Sequence, residues 1–450
     1  TVQYDGSVLQ TVSRGSFNGG VVVNNPSGAT LKGATTMAAL TLAAGNLILN
    51  NNRLTLNGTF RGAASNALVG SALSDLTIGG QAGTLYFRNS GRGNLLRHLR
   101  FEAGATATLG NTLNITSGSE AGTVTVTATS KLYSNGQLVL QSDSIGTARV
   151  AEITGCVTCT AIEGEVVVER YLPAKRTWRM LTVPVTGSYT LRQQLTRQGP
   201  DTDGTAAEYP APWCNTAPAP VSTGYGTLVT AHSMSSCANA AQVGADHLVN
   251  GAASSVRRYT HINGVGSWAS NTNTPLFNTV PAEDGYLVFV RGDRSVLNNG
   301  QGATTIRFKG FLRQGRTVTT NAITTGYAVM SNPYTAPIHL DRIINNNEGN
   351  DQLFERNFWI WDGDKTAGAN SLGGYRSISY DGQGGYDCAD CENITAEALL
   401  SVNSGQAFMV QRKLGVTNPV RMTINESDKL SSGGNAAFFR NQRAGSAVPR

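Results

Sequence analysis

Residues Leu138 to Gly187 read LVLQSDSIGTARVAEITGCVTCTAIEGEVVVERYLPAKRTWRMLTVPVTG. The second half holds an alternating run, Glu165 to Tyr171, then a break at Leu172-Pro173-Ala174. A second apolar run, Thr177 to Val185, follows and closes on Pro184 and Gly187. Alternation sends successive side chains to opposite faces of a strand, and Pro and Gly punctuate it, so this reads as strands joined by turns. Upstream the chain is rich in Gly, Asn and Thr with short apolar alternations. Downstream it is richer in Trp, Tyr, Pro and charge. The stretch marks the passage from one architecture to another.

Upstream, three segments share a rhythm: LTLAAGNLILNNNRLTLNGTF (Leu40 to Phe60), LSDLTIGGQAGTLYFRNSG (Leu73 to Gly91) and LRHLRFEAGATATLGNTLNITSG (Leu96 to Gly118). Each has a short alternating strand, a Gly step, a second short strand, then Asn or Gly. Periods of roughly 20 to 50 residues with this composition, each unit burying an apolar row only by stacking, describe a solenoid. A parallel β-helix is expected over residues 1–150, with Asn50, Asn51 and Asn52 as a turn ladder; a β-sandwich of the same short strands is the alternative.

Downstream, TWRMLTVPV (Thr177 to Val185), GYLVFVRG (Gly285 to Gly292) and TTIRFKG (Thr304 to Gly310) recur in order as GYAVMSNPY (Gly326 to Tyr334), GQAFMVQR (Gly405 to Arg412) and VRMTINE (Val420 to Glu426). This degenerate duplication predicts two sandwich-like β units, packed together or in tandem, 151–320 with long inserted loops and 321–440, before a tail at 441–450. Two short helices are expected, Leu191 to Arg197 and Ala396 to Val402. The fold class is all-β.

GTARV, VVVERYLPA, TWRMLTVPVTG, GYLVFVRGDR (Gly285 to Arg294), GYAVMSNPYTAPIHL (Gly326 to Leu340), FWIWDG (Phe358 to Gly363) and GQAFMVQ (Gly405 to Gln411) together resemble the shared core of large surface proteins that Bacteroidota export through the type IX secretion system. The resemblance is specific over roughly Leu138 to Arg440 and only architectural before it. It implies extracellular placement and a non-catalytic stalk or adhesin role, and names no ligand. The chain is accordingly expected to be a processed, mature product.

The totals agree with a layered β protein. At 450 residues two or three domains are expected. Charged residues make up only 14% and Gly numbers 52, which excludes a charge-rich disordered chain. The net charge of +6 comes without a Lys/Arg cluster, so no nucleic-acid partner is expected. No apolar run reaches the roughly 20 residues that span a bilayer.

The six cysteines are Cys156, Cys159, Cys214, Cys237, Cys388 and Cys391. Two C-x-x-C pairs have the local spacing of a four-cysteine zinc site. The export that the resemblance implies favours disulfides instead, paired Cys156–Cys159, Cys214–Cys237 and Cys388–Cys391. No cofactor is expected, and the alternative is a structural calcium ion: DTDG supplies Asp201 and Asp203, DGD supplies Asp362 and Asp364, and NNNEGND spans Asn345 to Asp351. None completes an EF-hand loop, and Asp and Asn also populate turns by bonding their own backbone.

Catalysis finds no motif. The five histidines (His98, His232, His247, His261 and His339) lie in no H-E-x-x-H sequence, and there is no G-x-S-x-G elbow, so the chain is expected not to be an enzyme. Asp362 with Asp364, or Asp381 with Asp387, are the carboxylate pairs a glycosidase would offer; strand-end turns explain them equally well. Trp359 and Trp361 alternate and read as core on one sheet face. Tyr209, Trp213, Tyr225 and Trp268, in the long loops read over Gly199 to Thr274, are better placed for ligands such as sugars. Arg291-Gly292-Asp293 spells an integrin-binding tripeptide but sits where a strand ends on a Gly turn. Asp143-Ser144-Ile145 resembles the O-glycan acceptor of exported Bacteroidota proteins, with Ser144 as the acceptor.

The expectation is therefore a secreted cell-surface structural or adhesive protein. Its partners would be other copies of itself, by addition of the polar strand within Thr1 to Gly20 or end to end, and alternatively surface glycans held for polysaccharide capture.

Overall fold

The structure, a computed structural model, describes the chain outside residues 119–121, 200–207, 215–222, 232–235, 243, 249–252, 263–264, 271–284, 296–301, 320–322, 324–325, 348, 366–371, 390, 392–393, 417–418 and 432–450. The protein is nearly all β, with a parallel solenoid of about seven turns followed by antiparallel sheets. It forms two compact units: Thr1–Glu169 with Gly310–Arg316, and Arg170–Lys309 with Thr317–Arg450.

The first unit is the solenoid. Its third face is a single seven-stranded parallel sheet that takes one strand from each coil, from Gly15–Phe17 through Arg53–Leu56 to Arg149–Val150. The other two faces are laid down the same way. Early coils are short: Val2, Val21 and Leu40 are register partners, 19 residues apart. Later ones are longer, since His98 partners Thr123 and Thr123 partners Arg149.

Short strands suffice here because every second residue points inward. In Leu40–Ala44, Leu40 and Leu42 are buried while Thr41 faces outward. Stacking repeats this: Met37, Leu56, Ile78 and Phe101 are register neighbours along one inner row, and Leu54, Leu76, Leu99 and Val124 along the next. All eight are buried. Burying one such side chain is worth about 2 kcal/mol, so a coil alone is marginal and the stack is not.

Asparagine ties the turns. Asn50 and Asn51 adopt left-handed backbone (φ 50° and 61°). Asn50 and Asn52 each donate a side-chain N–H to Leu31 O one coil away, at 3.3 and 3.2 Å, while Asn51 Oδ1 accepts from Ser71 Oγ on the opposite side. The three asparagines form the inter-coil ladder that their run in the sequence suggests. Asn111 does the same job by accepting from Phe87 N and donating to Phe87 O. Gln314, on the returning segment, brackets Ile162 N and O of the last coil at 2.8 and 2.7 Å.

The strand Val2–Tyr4 pairs in parallel with Val21–Val23 of its own chain. The expectation that residues 1–20 lack a partner and are free to add to a neighbouring subunit is thereby corrected: they are the first coil.

In the second unit the first two segments of each repeat enter two antiparallel sheets. Thr177–Leu181 pairs with Tyr286–Val290, and Tyr327–Ser331 pairs with Ala407–Arg412. The first pair extends through Val256–Ile262 and Val265–Ser270, the second through Phe354–Asp362, Gly374–Tyr380 and Tyr386–Asp387. The two sheets pack on each other through Met180, Leu287, Ala407 and Met409, flanked by Trp178, Tyr259, Trp268, Val329, Trp359, Trp361 and Tyr375. These two sheets belong to one compact unit, while the third member of each repeat lies outside them: Thr304–Leu312 is in neither sheet, and Thr423–Ile424 pairs with Thr317–Val318.

The far face of the second sheet carries Phe358, Ile360, Ile378, Phe408 and Val410 in a separate core with Ile343, Ile344 and Tyr334. Leu191–Thr196 is a helix capped by Thr190 and Gln193, and Ala396–Leu399 is a single turn that gives way to the strand Ser401–Val402. Cys237–Gln242, Leu340–Asn345 and Asn350–Leu353 are short helices that the β-rich composition conceals.

Candidate functional site

A buried polar cluster is centred on Asp246 in the second unit. Its carboxylate is fully buried. Oδ1 accepts from Arg294 Nη2 at 2.9 Å, from Trp213 N at 2.7 Å and from Arg192 Nη2 at 3.4 Å, and Oδ2 accepts from Val229 N at 2.9 Å. Arg192 is brought in by the capped helix and Arg294 by the segment after Tyr286–Val290. Burial lowers the Arg192 pKa, and the Asp246 charge works against that shift. The cluster gathers Arg192 and Arg294 onto Asp246 from 54 residues before it and 48 after it, which no spacing in the sequence announces.

Next to it lie Cys214, Cys237 and His247. Cys214 and Cys237 form a disulfide, and His247 Nδ1 stands 3.6 Å from Cys237 Sγ. One ligand atom from each of the three residues falls within 4.8 Å of the others, all partly buried. Asp246 fixes the backbone on both sides: it accepts from Trp213 N, and His247 N donates to Trp213 O at 2.8 Å. His247 lies in no motif; only its position after Asp246, once the fold is known, singles it out.

The remaining cysteines pair as Cys156–Cys159 and Cys388–Cys391. No cysteine is free, so the two C-x-x-C pairs do not combine into a four-cysteine zinc centre. Each closes on itself in a turn.

Asp362 and Asp364, the candidate calcium ligands, face cations of the chain itself. Arg376 donates twice to Asp362 Oδ2, at 3.0 and 2.9 Å, and Lys175 Nζ lies 2.9 Å from Asp364 Oδ1. Both carboxylates also act on the buried Arg179, whose pKa burial pulls down to about 10. A calcium ion takes six to eight oxygens; here the chain's own cations hold the carboxylates. Asp201 and Asp203 lie outside the described residues. In the Asn345 to Asp351 segment, Asn347 and Asn350 are buried, donating to Ile343 O and, respectively, to Asp428 Oδ2 and Thr423 O. These amides are structural. Asp381 accepts from Gln383 N and Gly385 N in a turn, which lowers its pKa.

The loop aromatics are engaged inside the unit, contrary to the expectation of open stacking faces. Trp213 is buried. Tyr209 stacks on Tyr189, and the Arg197 guanidinium lies over both rings, 4.3 Å from Tyr209 and 5.2 Å from Tyr189, while pairing with Glu208. Tyr225 lies 5.6 Å from the Arg307 guanidinium. Trp268 Nε1 donates to the Tyr375 hydroxyl, whose pKa burial pushes up to about 12. Trp359 and Trp361 belong to the layer between the sheets, packed edge-on against Tyr327 and Tyr375.

The Arg291-Gly292-Asp293 tripeptide is interior. Asp293 accepts from Gly224 N, Ser295 N and Ser295 Oγ, and burial lowers the pKa of Arg291 to about 10 above the Phe289 ring. Ser144, by contrast, is exposed at the tip of a turn in which Asp143 Oδ1 accepts from Ile145 N and Gly146 N.

No helix among the described residues is long and apolar enough to cross a membrane. Comparison of the chain with protein-family models, curated proteins and solved structures gives no match.

Proposed function

We propose that the chain is an extracellular structural or adhesive protein that works by shape and contact. The observation that carries this reading is the fate of the cysteines: all six are spent in local disulfides, distributed over both compact units. Disulfides persist in oxidising surroundings and are rare where glutathione keeps thiols reduced. A solenoid whose coils are tied by side-chain amides as well as by ladder bonds suits a load-bearing role, because each coil is anchored to its neighbours along three faces. Glycan capture draws less support, since Tyr209, Trp213, Tyr225 and Trp268 spend their rings on internal contacts.

The test is localisation together with thiol state. Immunogold labelling of source cells with an antibody to the folded chain is expected to mark the outside of the envelope. Protein extracted into an alkylating agent is expected to show no labelled cysteine. Label confined to the cytoplasm, or six alkylated cysteines, overturns the proposal.

A further inference from the structure

The Cys214–Cys237 bridge differs from the other two in having an imidazole against it. A tetrahedral zinc or cobalt centre with metal–sulfur bonds near 2.3 Å and metal–nitrogen bonds near 2.0 Å places neighbouring ligand atoms about 3.5–3.8 Å apart. His247 Nδ1 and Cys237 Sγ already stand 3.6 Å apart. Cys214 completes a triangle in which all ligand atoms lie within 4.8 Å. Two of the three ligand backbones are joined directly, because residues 214 and 247 form an isolated parallel bridge and His247 N donates to Trp213 O. The Asp246 carboxylate, locked by Arg192 and Arg294, holds that junction. The backbones of Cys214 and His247 are therefore tied together before any metal arrives, and the two sulfurs, bonded to each other in the disulfide, must part to ligand spacing once it is reduced.

We propose that Cys214, Cys237 and His247 form a redox-gated site for a divalent transition-metal ion of the zinc type. Oxidised, the two sulfurs bond to each other and have no thiolate to offer. A dithiol or phosphine reductant supplies two electrons, the S–S bond breaks, and two protons from water complete the thiols. The incoming M²⁺ displaces both protons to solvent and takes two thiolates and a neutral imidazole nitrogen, with water in the fourth position. The net charge of the three-residue site with its metal is zero, so a partly buried setting accepts it. Reoxidation by any disulfide partner returns the bridge and releases the ion. The chain thus holds metal before its bridge closes and none after.

The test uses the full chain. Under graded phosphine, with and without one equivalent of Zn²⁺, cysteines are alkylated and counted peptide by peptide. Zinc is expected to protect Cys214 and Cys237 from alkylation and leave the other four cysteines labelled as before. Equal labelling of Cys214 and Cys237 with and without zinc overturns the proposal. A second arm replaces Cys156, Cys159, Cys388 and Cys391 with Ser and follows Co²⁺ binding by its sulfur-to-cobalt and tetrahedral d–d absorption. One equivalent is expected in the reduced protein and none in the oxidised. His247→Ala in that background is expected to weaken Co²⁺ by at least the roughly 10–100-fold that even loss of an outer-shell partner costs. Binding that survives oxidation, or is indifferent to His247→Ala, overturns it.

Discussion

The guanidinium of Arg294 donates to the carboxylate of Asp246 at 2.9 Å, and both side chains are withdrawn from water. A charge buried this way is tolerable only while its partner is present. Removing one side leaves the other desolvated and uncompensated, a loss of about 3–5 kcal/mol. Asp246→Ala strands two buried arginines, Arg192 and Arg294, and is expected to reach that range in urea denaturation monitored by tryptophan fluorescence. A loss below about 1 kcal/mol would show that the cluster contributes nothing net.

The three disulfides are expected to differ in worth. Cys214–Cys237 closes a separation of 23 residues, whereas Cys156–Cys159 and Cys388–Cys391 each close 3. Loop-closure entropy assigns roughly 3 kcal/mol to the longer loop and roughly 1.5 kcal/mol to each short one. Calorimetry of the double-serine variants, one pair at a time, measures the order. A short-loop pair that costs more than Cys214–Cys237 would mean local strain or packing dominates.

Two glycines separate backbone conformation from space. Gly45 has φ +77°, and a Cβ there would sit 1.9 Å from Asn25 O of the adjacent coil. Gly136 has φ +75° with nothing within 4 Å of the same added atom. Gly136→Ala is expected to cost only the left-handed penalty, about 1–2 kcal/mol. Gly45→Ala adds a collision with fixed backbone and is expected to lower the solenoid's melting temperature much further. Equal losses would show that the coils slide apart freely.

His339 gives a pH dependence. Burial, reinforced by Arg342, lowers its pKa below the ordinary 6.5. The unfolded chain therefore takes a proton that the folded chain resists, so this residue's contribution is intact above about pH 6.5 and is lost as the pH falls toward the lowered value. The Tm difference between pH 7.5 and 5.0 is expected to be smaller in His339→Gln than in the unaltered protein. Identical differences would remove His339 from the acid response.

Much of the solenoid was legible because its rule is local. Leu40, Leu42, Leu54 and Leu56 alternate with polar residues, and the asparagine run marks a turn whatever the fold around it. The changing coil length, from 19 residues at Val2 to Val21 up to the longer step from Thr123 to Arg149, blurs the repeat, because loops absorb insertions without disturbing the inner rows. The second unit was legible as strand pairs but not as one body. Which face of Thr177–Leu181 meets which face of Ala407–Arg412 depends on contacts more than 200 residues apart in the chain.

The site was the least legible part. Asp362 and Asp364 look like cation ligands until Arg376 and Lys175 are seen opposite them. Asp246 and His247 look like nothing until the chain brings Arg192, Arg294, Cys214 and Cys237 to them. Charge partners chosen by the fold leave no periodic trace.

The register of the early coils sets a rule for how such a chain can change over time. Excising residues 21–39 would let Val2 meet Leu40 as Val21 now does, with each inward side chain still inward. Neighbouring coils already differ by a single residue, 25 from His98 to Thr123 and 26 from Thr123 to Arg149, while Leu99, Val124 and Val150 all stay inward, so the turns take up the odd residue. The coil itself is the unit that comes or goes whole, each adding about 4.8 Å to the stack, and the molecule's reach is a counted quantity, like teeth on a rack.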